Sequence, residues 1–144
     1  MIFLHSKAGQ LLMLITALMS VPALATERVV SDYMLSCQGC HLSNGRGYPE
    51  HGVPKMNGFV ANFLKVPGGR EYLVQVPGSA QAALSDERLA ALLNWILTSF
   101  SEKQLPEGFV PYSAAEVRKL RIHPIVKVTS TRAELVQYIN KITP

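Results

Sequence analysis

The chain is predicted to be an all-α domain with irregular loops. Three observations predict it. Residues 27–41 and 86–100 place apolar side chains at helical spacing, two Ser/Thr-x-x-Glu capping patterns follow at Ser113 and Thr131, and Gly- and Pro-dense stretches separate these segments. No internal repeat or low-complexity stretch interrupts them.

The first residues read as an export signal. Met1 to Lys7 carries one positive charge, Leu11 to Met19 is apolar, and Pro22-Ala23-Leu24-Ala25 gives a small-x-small ending. That order predicts a secretory signal peptide over residues 1–25, cleaved after Ala25. The alternative, an uncleaved anchor, is disfavoured because Ser20 and Pro22 cut the run short of the roughly 20 apolar residues a spanning helix needs. No other stretch is long and apolar enough to span a membrane. The remaining residues, 26–144, suit one domain with a modest core. Losing Lys7 lowers the formal charge of the 144-residue chain from +4 to +3. The basic residues are scattered without a run, so nothing points to nucleic acid.

Residues 27–41 are predicted as a helix. Val29, Val30, Tyr33, Met34 and Cys37 share a face, which places Tyr33 and Met34 in the core. The helix runs into Cys37-Gln38-Gly39-Cys40-His41, and two thiols at i and i+3 followed by histidine are the attachment pattern for c-type haem. On a helix such residues face the same way, so both sulfurs can reach the two vinyl groups of one porphyrin while His41 ligates the iron. A redox dithiol, half a zinc site and a disulfide are the competing readings of Cys-x-x-Cys. The adjacent histidine, the absence of any further cysteine and the export signal favour one covalent haem c with its iron.

From Asn44 to Pro54 the chain is irregular loop; Phe59 to Leu64 suggests a short helix, and Pro67-Gly68-Gly69 ends it. Glu71 to Val76 is too brief to assign, and Val76-Pro77-Gly78 is another break. Residues 86–100 carry a full amphipathic stripe, Leu89, Leu92, Leu93, Ile96, Leu97 and Phe100, with Ser85 as N-cap and Asp86 and Glu87 in the first turn. Trp95 is expected to pack against the first helix near Tyr33. In the extension, residues 101–144, the capping patterns predict short helices over 114–121 and 132–142, packed on the domain.

A helix ending in Cys37-x-x-Cys40-His41, a Gly- and Pro-rich loop region and an amphipathic helix containing Trp95 resemble a small exported monohaem class I c-type cytochrome over residues 27–100. The resemblance implies a cytochrome c-like helical domain, residues 26–100, wrapped around one covalently bound haem. It implies that the first and last helices of that domain cross with Tyr33 and Trp95 at the contact. Pro54 then matches the position whose carbonyl holds the Nδ1 hydrogen of the proximal His41, tuning its donor strength. The family usually supplies a distal methionine shortly before the last helix; this chain has Val76-Pro77 there. Met56 is the first candidate for the distal ligand, ahead of His51 and His123, with an open iron as the remaining alternative.

The implied function is electron transfer, not enzymatic turnover. The partners would be a periplasmic dehydrogenase as donor and a cytochrome or oxidase as acceptor. Arg46, Lys55, Lys65 and Arg70 are candidates for steering an acidic partner, or serve ordinary solubility. Two other functions compete: a haem subunit of a larger dehydrogenase complex, and a ligand-binding cytochrome.

Overall fold

The computed structural model describes residues 21–143. The predicted leader up to Ser20 lies outside the described residues. Seven α-helices are described: α1 (Val21–Ser36), α2 (Gln38–His41), α3 (Gly69–Gln75), α4 (Pro77–Ala80), α5 (Asp86–Ser101), α6 (Ala114–Arg121) and α7 (Val128–Ile142). The only β pairing among the described residues is an isolated bridge between Tyr48 and Val53.

The fold is assembled on α5. Its stripe buries Leu89, Leu92, Leu93, Ile96 and Leu97, and Ser85 caps it by accepting the Arg88 N–H at 3.3 Å. Helix α1 crosses it, and the crossing is aromatic: Tyr33 lies 5.2 Å from both Trp95 and Phe100, ring centre to ring centre. Such offset and edge contacts are favoured by the ring quadrupoles beyond the area they bury.

Helix α1 departs from expectation in two ways. It ends at Ser36, with the chain turning at Cys37 before α2 restarts it. Its inner face is Val29, Asp32 and Tyr33, so Met34 is 56% exposed rather than in the core. The reason is rotational: Met34 is five residues from Val29 and falls off the face that i, i+3 and i+4 define. A carboxylate occupies the face instead. Asp32, 2% exposed, is forked onto the guanidinium of Arg88 and ties α1 to the start of α5.

Between these helices, Val60–Lys65 forms a 3-10 helix where a short helix was expected, and its Ala61 N–H donates to the buried Ser101 hydroxyl at 3.1 Å. The unassigned stretch from Glu71 to Val76 lies largely in α3, and the predicted break after it spans one residue. Val76 is extended and Pro77 opens α4, a position where its missing N–H costs nothing.

The extension joins the same core. Tyr112, Val117, Leu135 and Ile139 are buried in the cluster that contains α5. Polar ties reinforce the packing. Asn94 both donates to and accepts from the Tyr112 backbone, Arg70 holds both carboxylate oxygens of Glu116, and Arg121 reaches the carbonyls of Ala80, Ala82 and Leu84. The Arg70 contacts hold the Glu116 carboxyl below the usual carboxylate range, the guanidinium hydrogen bond being the main cause. Arg70 is therefore engaged internally and is not a free steering charge.

Helix α6 starts where its capping pattern says, with the Ser113 hydroxyl accepting the Glu116 N–H at 3.2 Å. Ser113→Ala should cost about 1 kcal/mol of unfolding free energy, read from denaturant titration. Helix α7 contradicts its pattern. It starts at Val128 instead of residue 132, so Thr131 sits inside it with its N–H on the Lys127 carbonyl. The earlier start places Val128 and Arg132, at i and i+4, on one face.

Candidate haem site

The attachment motif sits where α1 gives way to α2. The amides of Cys40 and His41 both donate to the Cys37 carbonyl, at 3.2 and 2.9 Å, so the turn stacks Cys40 above Cys37 despite the break in the helix. Both cysteines are free thiols; Cys37 is half-buried and Cys40 exposed. Burial, and then the neighbouring Cys40, push the Cys37 thiol up to about 11. Leu42 follows with a positive φ of 64°, turning the chain away from the helix axis, and its carbonyl accepts the Tyr33 hydroxyl at 2.5 Å.

The loop after Leu42 folds back under His41. The Gly47 amide donates to the His41 carbonyl at 3.0 Å, and His41 Nδ1 lies 3.2 Å from the Pro54 carbonyl. Burial lowers the His41 pKa, with the Pro54 bond opposing it, a balance that favours the neutral imidazole. A neutral ring whose Nδ1–H donates to a carbonyl keeps a bare lone pair on Nε2, the state a metal requires.

These residues open onto a cavity of about 330 Å³. Cys37, Cys40, His41, Pro54 and Met56 line one part of it, Val60, Phe63, Tyr72 and Leu73 another, and Leu93, Ile96 and Leu97 of α5 a third. The rest of the wall comes from Val76 to Ser79 and from Val128 and Arg132 of α7. Two thiols and one metal-ready imidazole at the mouth of an apolar cavity fit a covalently held porphyrin with its iron.

The sequence-predicted site residues separate into two groups. Cys37, Cys40, His41, Pro54 and Met56 meet at the cavity, whereas Tyr33 and Trp95 form the helix crossing behind it. His51, in a 3-10 turn, and His123 are exposed, and neither lines the cavity. Sequence reasoning missed Tyr72, Ser79, Val128 and Arg132. The first two belong to short helices with weak local signals, and the last two reach the cavity only through tertiary packing of the extension.

Comparison with known proteins decides the family. The chain is 40% identical over 103 residues to cytochrome c-552 of Thermus thermophilus, a match covering 59% of this chain and 78% of that relative. The chain belongs to the c-type cytochromes. A second cytochrome c-552, from another source of the same species, matches with the same identity over 69% of its length. No protein-family model matches the chain. As a c-type cytochrome it carries covalent haem c and serves as an electron carrier with redox partners rather than as an enzyme. The 103 aligned positions occupy only 59% of the 144 residues, so some positions of the c-552 cytochromes have no counterpart in this cytochrome. Among the described residues, no helix is long and apolar enough to cross a membrane.

Proposed function

We propose that this cytochrome carries single electrons in the periplasm, from a dehydrogenase to a downstream cytochrome or oxidase, with Cys37 and Cys40 as the haem thioethers and His41 as the proximal ligand. The observation that carries the residue roles is geometric: His41, with Nδ1 3.2 Å from the Pro54 carbonyl, lines the same apolar cavity as the thiols of Cys37 and Cys40. Bound haem supplies one-electron exchange between ferrous and ferric iron. The polypeptide does the rest. Cys37 and Cys40 fix the porphyrin edge to the start of α2, Pro54 orients the imidazole and strengthens its donation, and the side chains of α5 exclude water. Behind them, the packing of Tyr33 on Trp95 keeps α1 and α5 in register, which sets the distance between the thiols and the cavity floor.

The predicted leader over residues 1–25 supports the periplasmic setting, because a positive start, an apolar run and a small-x-small ending direct export. Lys55, exposed at the cavity mouth, is the cation best placed to guide an acidic partner, and Arg46 is exposed in the adjoining loop.

Expression with a haem-lyase system tests this reading. The parent protein should keep haem through acid denaturation and show a reversible one-electron wave on an electrode. Cys37→Ala/Cys40→Ala should lose all covalently retained haem, and either single variant should keep one thioether. Retention of covalent haem by the double variant would refute the assignment of the thiols.

A further inference from the structure

The side of the iron away from His41 depends on which cavity residues can reach it. Outside the attachment motif, the wall offers one thioether, Met56, one amine, Lys55, one phenol, Tyr72, the hydroxyls of Ser36 and Ser79, and the guanidinium of Arg132, a cation with no lone pair for iron.

Met56 is built into the proximal loop. It is two residues beyond Pro54, whose carbonyl faces His41 Nδ1. Its amide donates to the Gly45 carbonyl at 2.8 Å, and its carbonyl accepts the amides of Phe59 and Val60 at 3.0 and 2.9 Å. Three backbone bonds thus fix its Cα in the loop that turns under the imidazole. Because Nδ1 and Nε2 lie on opposite flanks of the ring, a residue anchored beside the Nδ1 acceptor stands on the side away from the metal-facing nitrogen. Lys55 shares that loop.

The other donors are no better placed. Tyr72 is stacked flat on Phe63, with ring centres 5.0 Å apart, and is held there by burial. Ser36 ends α1 next to the thiols. The segment that joins α3 to α5 presents Val76, Pro77, Gly78 and Ser79 to the cavity, two aliphatic side chains, a glycine and one hydroxyl. A neutral hydroxyl is a weak partner for iron compared with thioether, imidazole or thiolate.

We infer that the cytochrome provides no side-chain ligand opposite His41, and that the sixth iron position, beside the wall formed by Val76 to Ser79, binds small neutral diatomic molecules. The inference rests on the haem assignment above and adds a binding activity to it. Bound haem would supply the iron that takes such a ligand, and no covalent bond of the polypeptide would change. Diatomic molecules fit this wall because it offers apolar surface and one small hydroxyl, with no charged group among its four residues.

The test uses the full-length holoprotein, first shown to retain haem through acid denaturation. After reduction, titration with carbon monoxide at neutral pH should move the Soret band to saturation at one equivalent per haem. The oxidised protein should lack the far-red band of an iron–sulfur(methionine) bond, and Met56→Leu should leave the stoichiometry of carbon monoxide binding at one per haem. An unchanged Soret band under saturating carbon monoxide would overturn the inference. So would a far-red band in the parent that Met56→Leu abolishes, since Met56 would then be the distal ligand. Loss of haem on acid denaturation of the parent would instead bring down the underlying cofactor assignment and this inference with it.

Discussion

A chain ended after Ser101 is expected to lose its cooperative melting transition, or to melt tens of degrees lower. The cut removes Val117, Leu135 and Ile139, which are 0%, 7% and 1% exposed in the native core. At about 1.5–3 kcal/mol for each fully buried aliphatic side chain, their burial contributes roughly 5–9 kcal/mol, an upper figure because the denatured chain already hides some apolar surface. That is comparable with the whole stability of a small domain, about 5–15 kcal/mol. The cut also takes Tyr112, whose backbone is held by Asn94, and Arg121, which bridges the carbonyls before α5. Part of the loss is offset because the ordered extension no longer has to be fixed. The haem cavity suffers too, since Val128 and Arg132 form part of its wall. Val117→Asp is the companion variant. It keeps the chain length but forces a charge into a fully buried position, and should unfold the protein in the same way. A truncated protein with an unchanged midpoint would show that the extension is a separable arm instead of part of the core.

What the sequence reveals about this protein divides by the range of the interactions concerned. The Cys37-x-x-Cys40-His41 motif is legible because its spacing lies within one turn, and the roles proposed for its residues follow from that spacing. The α5 stripe and the Ser113 cap are legible for the same reason, since each is settled by neighbours three or four residues away. Asp32 is the instructive miss. Its place on the inner face of α1 depends on Arg88, distant in sequence, so a reading by apolar period passes over it and takes Met34 instead. Thr131 shows the reverse error. It carries a cap pattern but is swallowed by α7, whose earlier start brings Val128 and Arg132 to the cavity. No local pattern announces that wall. The absence of a methionine near Val76 is visible in the sequence, but only the backbone bonds of Met56 show that its Cα is fixed in the proximal loop.

The proximal side yields the second large effect. Gly47→Ala should lower the stability by about 1–3 kcal/mol and raise the midpoint potential of the haem. Gly47 has a φ of +63°, which alone strains any residue with a Cβ, and a Cβ there would stand 2.7 Å from the carbonyl oxygens of both Val53 and Pro54. Relief requires those carbonyls to retreat. The Pro54 oxygen is the one that faces His41 Nδ1 at 3.2 Å, so its retreat weakens the hydrogen bond. A histidine that donates less to an acceptor is itself a poorer electron donor to iron, ferric haem loses more than ferrous, and the potential climbs. Gly52→Ala separates strain from this chemistry. Gly52 also has a positive φ, +79°, but a Cβ on it meets nothing within 4 Å. It should therefore lose about 1–2 kcal/mol for the same backbone reason while leaving the potential where it was. Redox titration of the two holoproteins beside the parent decides the matter. If both variants shift the potential equally, the effect belongs to loop strain and the Pro54 carbonyl is not its route; a shift confined to Gly47→Ala establishes that the missing side chain of Gly47 is what lets Pro54 approach the proximal histidine.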